Sequence, residues 1–403
     1  MSTSWKKQMV IIWMAQFLSL MGFSFAFPFV AYFLQEDLNV TGHGELKMWV
    51  ALFSAASAVM MAIAAPIWGM LADRYGKRVM LIRANLAGAV VMSLMGNVQT
   101  PGMLIVLRLL QGALTGTMTA AQAFMSGEMP PERRGFAIGG LAAAMYSGTM
   151  SGAFLGGFVA HWMGYRAAFY VSGALLLAAF LLILCCTKET TLSAVRRKQL
   201  NPAQPRVRWN SLPKTMYTVL IMIGAVSLVR QFDISFLPLL VQDIHGSMDG
   251  VALWSGALNA SGSIAGMIAG LATGWFSDRF SPLRLMVVSA VLAGLFSGWQ
   301  MVIHSFTLLF VVRFFTVFFA GSLEPALNAW LAKRIPETKQ GMAFGWASTL
   351  RSIGWAVGPL LAGVVATVNL RAVFGFAGVG FLLLAVVLGR SLKQQFEPKA
   401  RTQ

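Results

Sequence analysis

Two long apolar runs near the start of the chain are joined by the stretch Gly69-Met70-Leu71-Ala72-Asp73-Arg74-Tyr75-Gly76-Lys77-Arg78. A degenerate copy runs from Gly274 to Arg284, at a shift of 205 positions. The copy keeps Asp278-Arg279 but has Ser281-Pro282-Leu283 where the glycine and the basic pair would stand. The same charged pair at the same place between apolar runs indicates that the chain consists of two related halves.

Other uncommon residues match at the same shift. The matched pairs are Trp49 with Trp254, Arg108 with Arg313, Gly116 with Gly321 and Arg166 with Arg371, and one inserted residue then aligns Gly135 with Gly341 and Gly152 with Gly358. Charged and Trp positions rarely coincide in one register by chance, so the sequence predicts an internal repeat.

The composition is that of a membrane protein. Of the 403 residues, 57% are hydrophobic and only 11% are charged, against about 25% charged residues in soluble domains. A bilayer-spanning helix needs about 20 apolar residues. Runs of that kind fall near 9–34, 48–72, 79–97, 102–127, 136–161, 167–187, 214–241, 251–276, 285–303, 306–331, 342–367 and 372–390. The predicted fold is all-α and integral to the membrane, with twelve transmembrane helices in two six-helix pseudo-repeats.

The positions of Lys and Arg predict the orientation of these helices, since cytoplasmic connections carry an excess of both. Alternate connections hold most of the basic residues, and the connections between them hold only Lys47, Arg166 and Arg371. Both termini are therefore predicted to be cytoplasmic, and the net charge of +17 reflects topology. We do not expect a nucleic-acid partner, because the charges lie between apolar runs.

This pattern predicts three regions: an N-terminal six-helix bundle over 1–187, a cytoplasmic linker over 188–213 and a C-terminal bundle over 214–403. Two halves of equal orientation would be related by an axis along the membrane normal and could rock around a central cavity. A phosphate-binding Gly-x-x-x-x-Gly-Lys-Ser/Thr loop is absent from the sequence. We expect no enzymatic activity, no cofactor and no metal, and an ion gradient as the source of energy.

Three motifs resemble those of the major facilitator superfamily. The stretch from Gly69 to Arg78 is similar to its signature after the second helix. The residues Leu104, Arg108, Gln111 and Gly112 resemble its antiporter motif in helix four. The glycines Gly148, Gly152, Gly156 and Gly157 resemble the helix-five motif of drug exporters, although Ala153 replaces a proline. The nearest branch is the twelve-helix drug:proton antiporters, which include bacterial multidrug and tetracycline-type efflux proteins.

The resemblance implies roles for these motifs. It implies a conformational latch that involves Gly69, Asp73, Arg74, Gly76, Lys77, Arg78, Asp278 and Arg279. Asp73 would contact the start of helix eleven near Gly341, and positive-inside anchoring is the alternative for the basic members. The glycines of helix five would pack helices closely and help close the cavity. Arg108 would take part in proton coupling, with snorkelling as the alternative.

The second half holds further charges that are unexpected inside predicted spans. They are Arg230, Asp233, Arg313, Glu324 and Arg351. No acid interrupts the first run before Glu36, although many relatives titrate an acid in the first half. We therefore predict that Asp233 and Glu324 carry protons. The predicted partner of Asp233 is Arg230 or Arg351. Arg230 is a candidate because residues three apart share a helix face. Each of these residues has an alternative interpretation. Asp233 would belong to a static buried ion pair, and Glu324 would lie at a helix end or line the cavity. Arg313 would be retained only as the structural counterpart of Arg108 in the internal repeat.

Flexible Met and planar aromatic residues, numbering 25 Met and 29 Phe, suit an adaptable pocket as well as ordinary packing. Candidate cavity residues are Gln16, Phe23, Phe27, Gln122, Phe232 and Asn328. The leading interpretation is a monomeric exporter of small amphipathic or cationic compounds, driven by protons, in contact with lipid in the bacterial inner membrane. The alternatives are an exporter dedicated to one metabolite, siderophore or lipid-linked molecule, a symporter, sodium coupling, and a non-transporting receptor or scaffold.

Overall fold

The computed structural model describes residues 3–129, 133–187, 214–279, 281–334 and 337–396, and every regular element in these ranges is helical. In the first half the helices are α1 Thr3–Ala26, α2 Val30–Glu36, α3 His43–Tyr75, α4 Lys77–Met95, α5 Pro101–Leu114, α6 Thr117–Glu128, α7 Arg134–Met163 and α8 Tyr165–Cys186. In the second half they are α9 Lys214–Phe232, α10 Leu237–His245, α11 Val251–Arg279, α12 Pro282–Trp299, α13 Phe306–Arg334, α14 Glu337–Val368 and α15 Ala372–Phe396.

Ten helical stretches within the described residues are long and apolar enough to cross a bilayer, so the chain is an all-helical, multi-pass membrane protein. The predicted run 102–127 differs from the structure, because α5 ends at Leu114 and α6 begins at Thr117. Gly116 lies between them with φ at +121°, a conformation that glycine adopts without steric penalty. The prediction of one uninterrupted helix in this run is therefore wrong.

The chain divides into two compact units. The first comprises Met1–Arg206 and His245–Ser263, and the second comprises Val207–Ile244 and Ile264–Gln403. The predicted linker 188–213 lies outside the described residues, and the three-region division stays a prediction.

The two units use the same helix pairings. In the first unit α1 packs against α7, and α4 packs against α8. In the second unit α9 packs against α14, and α12 packs against α15. These are corresponding helices of the two predicted repeats, so the internal match in sequence extends to tertiary packing.

Glycines bring the paired backbones close together. A Cβ atom at Gly152 of α7 would overlap the carbonyl oxygen of Met21 in α1. In the second unit a Cβ atom at Gly358 of α14 would lie 2.6 Å from the carbonyl oxygen of Leu228 in α9. Both approaches are closer than van der Waals contact, so any larger residue would push the helices apart.

An arginine clamp joins three connections at one end of each half. The Arg166 guanidinium donates to Asp37 at 2.8 Å and to the carbonyl oxygens of Gly96 and Val98 at 2.9 and 3.0 Å. Its repeat mate Arg371 donates to Asp243 at 2.9 Å and also to the carbonyl oxygens of Met301 and Ile303. The matched arginines thus perform the same structural task twice.

The first span of each half is broken at a corresponding place. A 3-10 segment, Phe27–Phe29, follows α1, and a second 3-10 segment, Ile234–Phe236, follows α9. Proline lies at both breaks, as Pro28 and Pro238, and proline removes a backbone donor from the helix. The breaks place Phe27 and Asp233 beside the two intramembrane arginines of the repeat.

Candidate functional site

The most deeply buried charges form an ion pair in the second unit. Nη1 of Arg313, from α13, lies 2.6 Å from Oδ2 of Asp233, and the two side chains are only 6% and 5% exposed. Asp233 directly follows the last residue of α9. Removal of either partner would leave a buried charge without compensation, which is strongly unfavourable.

The predicted partners of Asp233 are wrong, because Arg230 and Arg351 both contact Glu324. Nη1 of Arg230 lies 2.7 Å from Oε2 of Glu324, and Nε of Arg351 contacts Oε1 of the same carboxylate. The prediction assumed that Arg230 and Asp233 share a helix face. Because α9 ends at Phe232 and a 3-10 segment follows, the regular 3.6-residue period does not continue through Asp233.

Three helices contribute to this second cluster, with Arg230 on α9, Glu324 on α13 and Arg351 on α14. Their side chains are 28%, 21% and 22% exposed, so they are far more accessible than the Asp233–Arg313 pair. Among the described charges inside membrane spans, the second unit therefore has one buried ion pair, Asp233–Arg313, and a more accessible cluster of Arg230, Glu324 and Arg351, which we call the open cluster.

Arg108 in the first unit has aromatic neighbours. Its guanidinium carbon lies 3.8 Å from the ring centre of Phe27 and 4.4 Å from that of Phe53. Nε donates to the carbonyl oxygen of Phe53 at 3.2 Å, and Nη1 donates to Oε1 of Gln111 at 2.5 Å. Within the described part of the chain this arginine has no ion pair. Cation–π contacts and hydrogen bonds stabilise its charge.

The predicted latch is described only in part. Gly76 has φ at +107° and joins α3 to α4. Arg74 is exposed, and Arg78 donates to Oγ1 of Thr187 at 3.1 Å and to the carbonyl oxygen of Leu184 at 2.8 Å, at the end of α8. Arg78 therefore caps a helix, which supports a structural role. The side chains of Asp73, Asp278 and Arg279 lie outside the described residues, so the latch stays a prediction.

The predicted cavity residues have varied surroundings. Phe23 stacks on Phe27 with ring centres 6.2 Å apart. Gln16 is buried and donates to Oγ1 of Thr117 at 3.3 Å, while Gln122 is half-buried. Phe232 is buried, and the Oδ1 atom of Asn328 is buried without a hydrogen-bond partner in the described residues.

Two further contacts in the first unit lack a signal in the sequence. The hydroxyl groups of Tyr32 and Ser255 lie 2.6 Å apart, and both residues are fully buried. The Arg83 guanidinium stacks 3.3 Å above the ring of Trp68. Hydropathy and charge pattern in the sequence do not indicate that Trp68 is the aromatic partner of Arg83.

Together, the apolar spans and the ion pairs within them define the class of the chain as a multi-pass membrane protein, and charges inside such spans are typical of transport proteins. The family profile of the Major Facilitator Superfamily matches residues 12–279 and 219–402. The chain belongs to this superfamily, and it is a secondary transporter.

Curated relatives resemble the chain over almost its whole length. It is 31% identical to the "Multidrug resistance protein MdtG" of Enterobacter lignolyticus, over 97% of this chain and 93% of the relative. It is 30% identical to the protein of the same name from Citrobacter koseri, over 98% of each chain.

Solved structures share the fold at lower identity. The nucleoside transporter NupG, solved as a point mutant, matches with a TM-score of 0.73 and 14% identity, over 96% of this chain and 100% of that one. A bacterial homologue of the human lysosomal transporter Spinster matches with a TM-score of 0.69 and 15% identity, over 98% of each chain.

Proposed function

We propose that the protein exports small amphipathic compounds in exchange for protons, by alternating access across the bacterial cytoplasmic membrane. The names of the curated relatives support drug export, and the closely packed glycine face of α7 is consistent with an exporter. We further propose that the monomer has twelve spans, with both termini in the cytoplasm and its outer surface in contact with lipid. The predicted latch at Asp73 and Arg74 belongs to this proposal.

The observation that carries the proposal is the buried Asp233–Arg313 pair. A carboxylate inside a membrane span is costly and usually marks a proton or ion pathway. Proton binding to Asp233 would cancel its charge and release the Arg313 guanidinium. Because Asp233 lies at the break between α9 and α10, loss of the ion pair could be coupled to movement of these segments.

Glu324 is the second candidate carrier. Its carboxylate is opposed by two arginines, so its protonation would leave two cations close together. Among the described residues Asp233 is paired with one arginine, and it is therefore our first choice.

The test is proton-driven uptake of a fluorescent drug into everted vesicles, with Asp233→Asn, Glu324→Gln and the exposed Asp249→Asn as the matched control. We expect Asp233→Asn to abolish accumulation driven by a pH gradient while downhill exchange continues. The Asp249→Asn control should accumulate drug normally. Uphill transport by both the Asp233→Asn and the Glu324→Gln variants would refute the assignment. A sodium gradient that drives uptake without a pH gradient would refute proton coupling.

A further inference from the structure

The open cluster of Arg230, Glu324 and Arg351 has an unbalanced charge. Two guanidinium groups share one carboxylate, and each uses a different oxygen of Glu324. The neighbouring Asp233 is already paired with Arg313. Within the described residues the cluster therefore carries a net charge of +1 inside membrane spans, where an uncompensated charge is unfavourable.

A hydrogen-bond acceptor lies one helical turn from this charge. Asn328 follows Glu324 by four residues on α13, so the two share a helix face about 6 Å apart. The Oδ1 atom of Asn328 is buried and has no hydrogen-bond partner in the described residues. Buried acceptors are normally satisfied, so this atom has an unused capacity to accept a hydrogen bond.

We propose that Arg230, Arg351 and Asn328 form the cargo site, and that it binds amphipathic molecules carrying an acid group. The acid group would bind the two guanidinium groups beside the Glu324 carboxylate, so that two acid groups balance two arginines. A donor on the cargo, N–H or O–H, about 6 Å from the acid group would bind Oδ1 of Asn328. This inference rests on the proposed export function and names its substrate class.

The same geometry assigns a role to Glu324. In the empty protein its carboxylate holds the two arginines, and an arriving acid group competes for the same donors. Glu324 then occupies the two arginines until the cargo binds, and Asp233 is the residue that exchanges protons. Two guanidinium groups would repel a cationic compound, so the cluster disfavours the cationic compounds that are among the predicted substrates.

The test uses three matched fluorescent probes and the purified full-length protein. N-dansyl-γ-aminobutyric acid carries a carboxylate and a sulfonamide N–H. Its primary amide lacks the charge, and its N-methyl derivative lacks the donor. We expect the acid to bind at least tenfold more tightly than the amide, and several-fold more tightly than the N-methyl acid.

The variants separate this role from a structural one. Arg230→Gln and Arg351→Gln should each weaken binding of the acid at least tenfold and leave binding of the amide unchanged, whereas the exposed Arg390→Gln should change neither. Asn328→Ala should remove the preference for the N–H probe over the N-methyl probe. Glu324→Gln should bind the acid more tightly than the unmodified protein, because the competing carboxylate is gone.

Equal binding of acid and amide by the unmodified protein would overturn the inference. So would weaker acid binding by Glu324→Gln, an outcome that stays informative even if the arginine variants do not fold. Uptake of a neutral drug into everted vesicles separates the two proposals. If uptake is normal but the acid has no advantage, the cargo site is wrong and export stands, whereas absence of any uptake contradicts export itself.

Discussion

Arg108 in the first half lies between the rings of Phe27 and Phe53, whereas Arg313 in the second half is bonded to Asp233. The two arginines match in the internal repeat, and Phe27 and Asp233 lie at corresponding helix breaks. An aromatic face stabilises a cation but cannot accept a proton, whereas a carboxylate can do both. The comparison supports our proposal that Asp233 in the second half exchanges protons, while the predicted coupling role of Arg108 stays a prediction.

The largest expected effect follows from the loss of the Asp233–Arg313 ion pair in the second half of the molecule. Asp233→Asn leaves Arg313 buried without its counter-charge and should lower the free energy of unfolding by about 3–5 kcal/mol. Thermal unfolding in detergent would measure the loss. The double variant with Arg313→Gln should regain most of the stability but not the proton-driven uptake. A stable single variant would show that the pair is not buried in the folded protein.

A smaller effect should be shared by the two halves. Gly152→Ala and Gly358→Ala place a methyl group against a backbone carbonyl, and each should lower the free energy of unfolding by about 1–3 kcal/mol. Gly139→Ala on the same helix as Gly152 is the control, because nothing lies within 4 Å of its Cβ position. Melting temperatures in detergent would test this, and an unchanged value for both variants would contradict the close packing.

The arginine clamps should also respond equally. Arg166→Gln and Arg371→Gln each lose a charge-assisted bond and contacts to two carbonyl groups, at a cost of about 1–2 kcal/mol. The exposed Arg390→Gln is the matched control. If one clamp variant lost more than about twice as much unfolding free energy as the other, the two clamps would not contribute equally to stability.

The smallest effect concerns the aromatic contacts of Arg108 in the first half of the molecule. Phe27→Leu removes one aromatic face from Arg108 and should lower the free energy of unfolding by about 1 kcal/mol. Phe27→Tyr retains the face and should be neutral. If Phe27→Leu eliminates proton-driven uptake without loss of stability, Arg108 and its aromatic neighbours take a direct part in exchange.

Much of the fold could be predicted because lipid imposes simple rules on sequence. Long apolar runs locate helices, and the match of Arg166 with Arg371 correctly indicated equivalent structural positions. The division at Gly116 could not be predicted, since the run 102–127 contains four glycines and glycine is also common inside intact membrane helices. The deviation there depends on local backbone conformation, which hydropathy does not report.

The sequence allowed the charged residues of the candidate site to be predicted, but not the ion pairs that they form. Arg230, Asp233, Arg313, Glu324 and Arg351 stand out because charges within spans are costly. Which acid meets which arginine depends on the end of α9 at Phe232, and on contacts between helices far apart in sequence. The aromatic surroundings of Arg108 were hidden for the same reason, since Phe27 and Phe53 lie on separate helical elements.

The clamps of Arg166 and Arg371 bear on biosynthesis. Among the described residues, the partners of Arg166 all precede it in the chain, and the partners of Arg371 all follow residue 213. The first clamp can therefore close while the ribosome is still translating the second half. We expect the halves to assemble as well when they are expressed from separate messages, because neither clamp requires a residue from the other polypeptide.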